Sequence, residues 1–187
     1  VYNIDGALNR NATSRVNQDG PESFGFRGNA RNFDLNRDFI KNETLNAQSF
    51  TQIYRQWDPD VFVDTHVSNG ADYQYVMTLI STQHNKLAQP LGDYLKNSML
   101  PVLYKEMEKA GFPMCPYVNE IKKIPDDGIA GFLDLGRYST GYTAMFNTLG
   151  FMPETHMLKP YPQRVAATRA LLEIYIRYSN AHATEIM

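Results

Sequence analysis

Residues 61–70 read VFVDTHVSNG, and the first three decide what kind of fold surrounds them. Val61, Phe62 and Val63 form a short apolar run of β-formers without polar alternation, the pattern of a strand buried on both faces. Such a strand needs helices packed above and below it, which predicts an α/β domain. The run ends in Asp64-Thr65-His66 and a turn at Asn69-Gly70. Polar side chains at the C-terminal end of a buried strand lie where α/β sheets place their ligands.

Working outward, Leu45, Phe50, Ile53, Tyr54 and Trp57 recur at helical spacing, so an amphipathic helix is expected over Thr44–Trp57, ended by Asp58-Pro59. Tyr73–Ile80 reads as a second strand. Leu87–Gly111 is helical, with Pro101 either kinking it or starting a new helix. Short extended pieces are expected at Tyr117–Ile121 and Phe132–Leu135, and a short helix from Ser139 through Asn147. Leu149–His156 reads as a strand. Pro162–Ile186 reads as a long helix whose apolar residues Val165, Leu171, Leu172, Ile174 and Tyr175 imply burial against a sheet. Residues 1–24, with turn signals Asp5-Gly6 and Asp19-Gly20, read as a few extended residues followed by a long loop. Without repeats or a linker, 1–187 is a single domain.

Composition narrows the classes. The 187 residues are 43% hydrophobic and 20% charged, an ordinary globular balance with enough chain for one sizeable core. A net charge of −2 gives no footprint for nucleic acid. No apolar run reaches the roughly 20 residues of a spanning helix. A single cysteine, Cys115, excludes an internal disulfide and a cysteine-built metal site. The chain opens without Met and stops within a helical pattern at Ile186-Met187, as an excised piece of a longer protein would.

Two further stretches carry chemistry. Gly25–Lys41, GFRGNARNFDLNRDFIK, interleaves Arg27, Arg31 and Arg37 with asparagines and aspartates in a loop with a short extended piece at Asn32–Asn36. Planar guanidinium forks suit a carboxylate or phosphate, and Asn36 adds a neutral donor beside Arg37. A polar loop with surface ion pairs would look the same in isolation. In Gly150-Phe-Met-Pro-Glu-Thr-His156, Glu154 is a lone carboxylate inside an apolar strand. Desolvation there raises a carboxyl pKa toward the range useful to a base.

Together, Asn3-Ile-Asp-Gly6, Phe33-Asp-Leu-Asn-Arg37, the strand ending at His66 and then Glu154 resemble the zinc metallocarboxypeptidases of the carboxypeptidase A-like family, in order and approximate spacing. The resemblance covers nearly the whole chain but only about the later two-thirds of the family's catalytic domain. It implies a mixed β-sheet flanked by helices on both faces, incomplete at the N-terminus, and zinc as cofactor. It further implies that His66 ligates metal, Glu154 is the general base, Arg27 stabilises the oxyanion, Asn36 and Arg37 grip the substrate's terminal carboxylate, and Asp34 orients a zinc-bound histidine. Arg31 competes with Arg27 for its role. Tyr142, with Tyr138 as the competing candidate, matches the phenol that closes on substrate, although core packing is the default for any one of twelve tyrosines. His156 is expected as a pocket wall.

The family's H-x-x-E ligand pair has no counterpart upstream of His66; His182-Ala-Thr-Glu185 has that spelling but lies at the wrong end of the chain. The implied partner is a peptide, or peptide-like amide, with a free carboxylate, and the implied setting is secreted or periplasmic. Relatives acting on peptidoglycan peptides or N-acyl amino acids fit the same residues. So does a catalytically inactive carboxylate-binding module.

Overall fold

The computed structural model describes residues 1–14, 17–68 and 72–187; the turn expected at Asn69-Gly70 lies outside them. In chain order the elements are α1 (Ile4–Leu8), α2 (Leu45–Trp57), β1 (Val61–Val63), β2 (His66–Ser68), β3 (Met77–Ser81), α3 (Leu91–Tyr94), α4 (Leu100–Lys109), β4 (Met114–Pro116), β5 (Val118–Glu120), β6 (Ile129–Gly131), α5 (Ser139–Ala144), β7 (Leu149–His156), α6 (Tyr161–Ala181) and α7 (Ala183–Ile186). β1 and β2 both run parallel to β7, β7 is antiparallel to β3, and β3 is parallel to β4, so the sheet is mixed. β5 and β6 form a separate antiparallel pair. Among the described residues, no helix is long and apolar enough to cross a membrane.

Side-chain alternation along β7 divides the sheet's two faces. Leu149 and Phe151 join Met77 and Leu79 in the main core, against Leu103 and Met107 of α4 and Ala167, Leu171, Ile174 and Tyr175 of α6. Met152 and Ile80 point the other way and meet Tyr138. Phe62 of β1 also faces that side, under Phe50 and Tyr54 of α2 and Tyr142 of α5. Helices therefore cover both faces. Glu154 belongs to the second face and is paired in register with His66 on one side and Thr78 on the other.

Local chemistry accounts for several boundaries. The Thr44 hydroxyl accepts from Ala47 N at 3.1 Å, starting α2 as a side-chain cap. A π-helical stretch, Leu95–Met99, joins α3 to α4 just before Pro101, which lacks the N–H an α-helix would use there. α5 lies so close to β7 that a Cβ at Gly150 would stand 2.3 Å from Thr143 Oγ1.

Some expectations are corrected. Val61–Val63 is half-buried rather than fully buried, because β1 and β2 stand at the edge of the sheet. The strand expected at Tyr73–Ile80 is the shorter β3. In α2, Ala47 and Tyr54 are buried while Leu45, Ile53 and Trp57 are exposed, so the helix is rotated from the face read in its sequence. In α6, Val165 and Leu172 are likewise exposed. The start of the chain is α1, capped by Asn3, rather than extended, and a 3-10 turn at Leu35–Arg37 replaces the extended piece at Asn32–Asn36.

Candidate functional site

The loop carrying the arginines is tied down by the first residues of the chain. Asn3 Oδ1 accepts from Gly6 N at 2.9 Å, while its Nδ2 donates to the carbonyls of Phe26, Arg27 and Gly28 at 3.3, 3.1 and 3.2 Å. Gly6 allows this approach, since a Cβ there would lie 2.2 Å from Phe26 O. The Asn-Ile-Asp-Gly motif is therefore a clamp that fixes the backbone at Arg27.

Further along the loop, Asp34 Oδ1 accepts from Asn36 N at 3.0 Å and caps the Leu35–Arg37 turn. Its Oδ2 accepts from Arg27 Nη2 at 3.0 Å. The turn presents Asn36 and Arg37 side by side. Arg37 Nη1 donates to Asn36 O at 2.7 Å, and its guanidinium carbon lies 4.9 Å from the Tyr138 ring centroid. Arg37 has no carboxylate partner among the described residues. Asn36 Oδ1 is buried without a hydrogen bond. An incoming carboxylate would satisfy the unpaired guanidinium, and of the Asn36 side chain only the amide nitrogen could donate to it; the orphaned Oδ1 is an acceptor and would need a donor.

The strand ends supply the opposite wall. His66 Nε2 lies 3.0 Å from Asp64 Oδ2, and its Nδ1 has no hydrogen bond among the described residues. Burial pulls the imidazolium pKa down, but the bond and charge of Asp64, with Glu154 nearby, outweigh this and hold it above its ordinary value. Burial raises the Glu154 carboxyl above the usual glutamate range, offset in part by His66 and Arg27. A cavity of about 300 Å³ lies between these groups, lined by Arg27, Asp34, Asn36, Arg37, His66 and Glu154 with Tyr117, Phe132, Tyr138 and Met152.

The structure thus brings Arg27, Asp34, Asn36, Arg37, His66 and Glu154 to one cavity, and it leaves Arg31 out of the lining. Tyr142 is not brought there. It sits in the aromatic cluster with Phe39 and Tyr54, its hydroxyl 3.3 Å from Thr51 Oγ1, and Tyr138 takes the place in the wall. Asp34 contacts Arg27, and the carboxylate that orients His66 is Asp64. Asp64 was legible as a polar residue two positions before His66 at a strand end, but its pairing was not. His156 is no pocket wall: it is 1% exposed, accepts from Leu158 N through Nδ1 at 3.2 Å, and turns Nε2 to Asp72 at 2.9 Å.

A carboxylate-oriented imidazole with its other nitrogen open is how a metal-binding histidine is normally held. A catalytic zinc takes three protein ligands, however. No three His, Cys, Asp or Glu side chains converge among the described residues. By themselves these residues do not fit a resident zinc.

No family model and no curated protein sequence matches the chain. Among solved structures, the chain is similar to a metallo-carboxypeptidase from Burkholderia cenocepacia, with a TM-score of 0.55 and 14% identity over 82% of this chain. It spans less than half, 42%, of that protein's chain. The likeness is one of fold: a mixed sheet flanked by helices, arranged as in a metallo-carboxypeptidase.

Proposed function

We propose that this chain is the carboxylate-binding and base-bearing part of a hydrolase of carboxypeptidase type, acting on the C-terminal bond of a peptide or related amide. The observation that carries this reading is Arg37, without a carboxylate partner among the described residues, lining one cavity with Asn36 and Glu154. Arg37 and Asn36 take the substrate's free carboxylate, which selects a chain end over an internal bond. Arg27 then lies in the same cavity to donate to the carbonyl oxygen as it becomes anionic. Glu154, raised by burial, is suited to accept a proton from attacking water and return it to the leaving amine. His66 is one metal donor, and a zinc centre would need others from beyond these residues.

The test is calorimetric titration of the chain with N-acetyl-alanyl-alanine and its C-terminal amide. The acid is expected to bind about tenfold tighter or more, and Arg37→Gln to remove the difference. Equal affinities would overturn the carboxylate assignment. In the longest natural form of the protein, Glu154→Gln should lower kcat by about 100-fold or more with less change in KM. If carboxylate preference persists without turnover in either form, the chain is a binding module and not an enzyme.

A further inference from the structure

A second cavity, of about 480 Å³, opens beside the first and shares Arg27, His66 and Val67 with it. Its lining includes three arginines, Arg10, Arg27 and Arg164, and no Asp or Glu among the described residues. Arg164 is the most telling of them. Only 3% exposed, it donates from Nε to Lys159 O at 2.9 Å and from Nη2 to the carbonyls of Asp19, at 2.9 Å, and Gly20. Every one of these acceptors is a neutral carbonyl. No carboxylate lies within ion-pair distance of Arg164, and its Nη1 has no hydrogen bond among the described residues. Arg10 is satisfied only by Ser23 O at 3.4 Å, and Arg27 uses Asp34 on the side facing the first cavity. The charge of Arg164 is offset only by the more distant Asp19 carboxylate and by the Tyr161 ring, whose centroid lies 5.5 Å from the guanidinium carbon, so an anion entering the cavity would be the first to pair with it directly.

The order of the two cavities gives direction. Asn36, Arg37 and Tyr138 line the first alone, Arg27 and His66 line both, and Arg10, Gln18, Ser23 and Arg164 are in the second and absent from the first. A substrate whose terminal carboxylate is held at Arg37 and whose reacting carbonyl is near Arg27 therefore continues, on its acyl side, into the arginine-lined space. Resting on the reading above, we infer that this cavity receives a second anionic group of the substrate, a carboxylate side chain on the residue preceding the terminal one. The substrate class is then acidic peptides rather than peptides at large.

Titrating the chain with N-acetyl-glutamyl-alanine and its neutral isostere N-acetyl-glutaminyl-alanine tests this directly. The acidic peptide is expected to bind about tenfold tighter, the advantage shrinking at about 0.5 M salt. Arg10→Gln, at an exposed position outside the first cavity, should cut the advantage to about threefold or less while leaving the glutaminyl peptide's affinity unchanged. Arg164→Gln should do the same, with circular dichroism to report whether the fold survives losing its carbonyl contacts. If both peptides bind equally, yet tighter than a C-terminal amide, this inference fails and the carboxylate reading stands. If no free-carboxylate peptide binds, both fall.

Discussion

Asp38 shows how one loop residue holds the ground beneath the site. It is 5% exposed, and its carboxylate accepts from Glu43 N at 3.0 Å, Thr44 N at 2.9 Å and Thr44 Oγ1 at 2.7 Å. Burial alone would raise its pKa; the bonds from Thr44 and Glu43 overcome that and leave the carboxyl below its ordinary value. A depressed folded-state pKa gives stability that is fully present above the unfolded value, near about 4, and is lost as pH falls through the folded one. Asp38→Asn is therefore expected to cost about 1–3 kcal/mol in urea unfolding at neutral pH. The gap to wild type should close below about pH 4; a gap independent of pH would assign the loss to something other than this charge. At this scale much of the candidate site was legible in the sequence. Arg27, Asn36, Arg37 and His66 stand out by the order and spacing of the motifs that carry them, and Glu154 also by the cost of a lone carboxylate inside an apolar strand. Tyr142 was not legible, since a phenol on a six-residue helix buried on all its faces has no solvent side to betray its direction.

Among the elements, α5 is held on β7 by close glycine and threonine packing on one side and by the aromatic cluster around Tyr142 on another. A Cβ at Gly150 would stand 2.3 Å from Thr143 Oγ1 and 2.7 Å from Thr82 Oγ1. Both hydroxyls are engaged: Gly150 N donates to Thr82 Oγ1 at 3.0 Å, and Thr143 Oγ1 donates to Thr140 O at 3.2 Å. Gly150→Ala must push α5 off the strand, at a cost of about 1–3 kcal/mol. Thermal melting should show this as a loss of some 2–4 °C per kcal/mol, partly recovered by adding Thr143→Ala. No recovery would mean that the strand, not the helix, yields. The sequence marked most helices and strands by their periods, and β7 in full. It misplaced the buried face of α2 and, while Leu171, Ile174 and Tyr175 of α6 are buried as read, drew that helix's face too broadly, because each carries apolar residues around much of its circumference. Leu45, Ile53 and Trp57 of α2 and Val165, Leu172 and Ile176 of α6 are all exposed. Periodicity cannot rank two apolar stripes when only one meets the sheet.

For the molecule as a whole, the mixed sheet with helices on both faces followed from strand patterns and resemblance, whereas the edge position of β1 and β2 did not. A strand's partners lie in other parts of the sequence, and three residues carry too little pattern to say whether one side is paired or two. The same whole-chain view sets the metal expectation. With one oriented imidazole and no converging set of three donors among the described residues, zinc titration of this chain should find no site tighter than about 10 μM. A submicromolar site lost in His66→Ala would show that the donors converge after all.

The division of labour along β7 has a consequence for how such chains diverge. Alternate residues of one strand serve two masters: Leu149 and Phe151 fill the core, while Met152 and Glu154 face the cavity. Inserting or deleting a single residue before Glu154 would exchange the faces, driving a carboxylate into the core and an aromatic ring into the cavity. Lineages that keep the site can exchange apolar residues of similar volume on the core side of this strand but cannot vary its length. Gaps in their alignments should gather in the loops on either side of it.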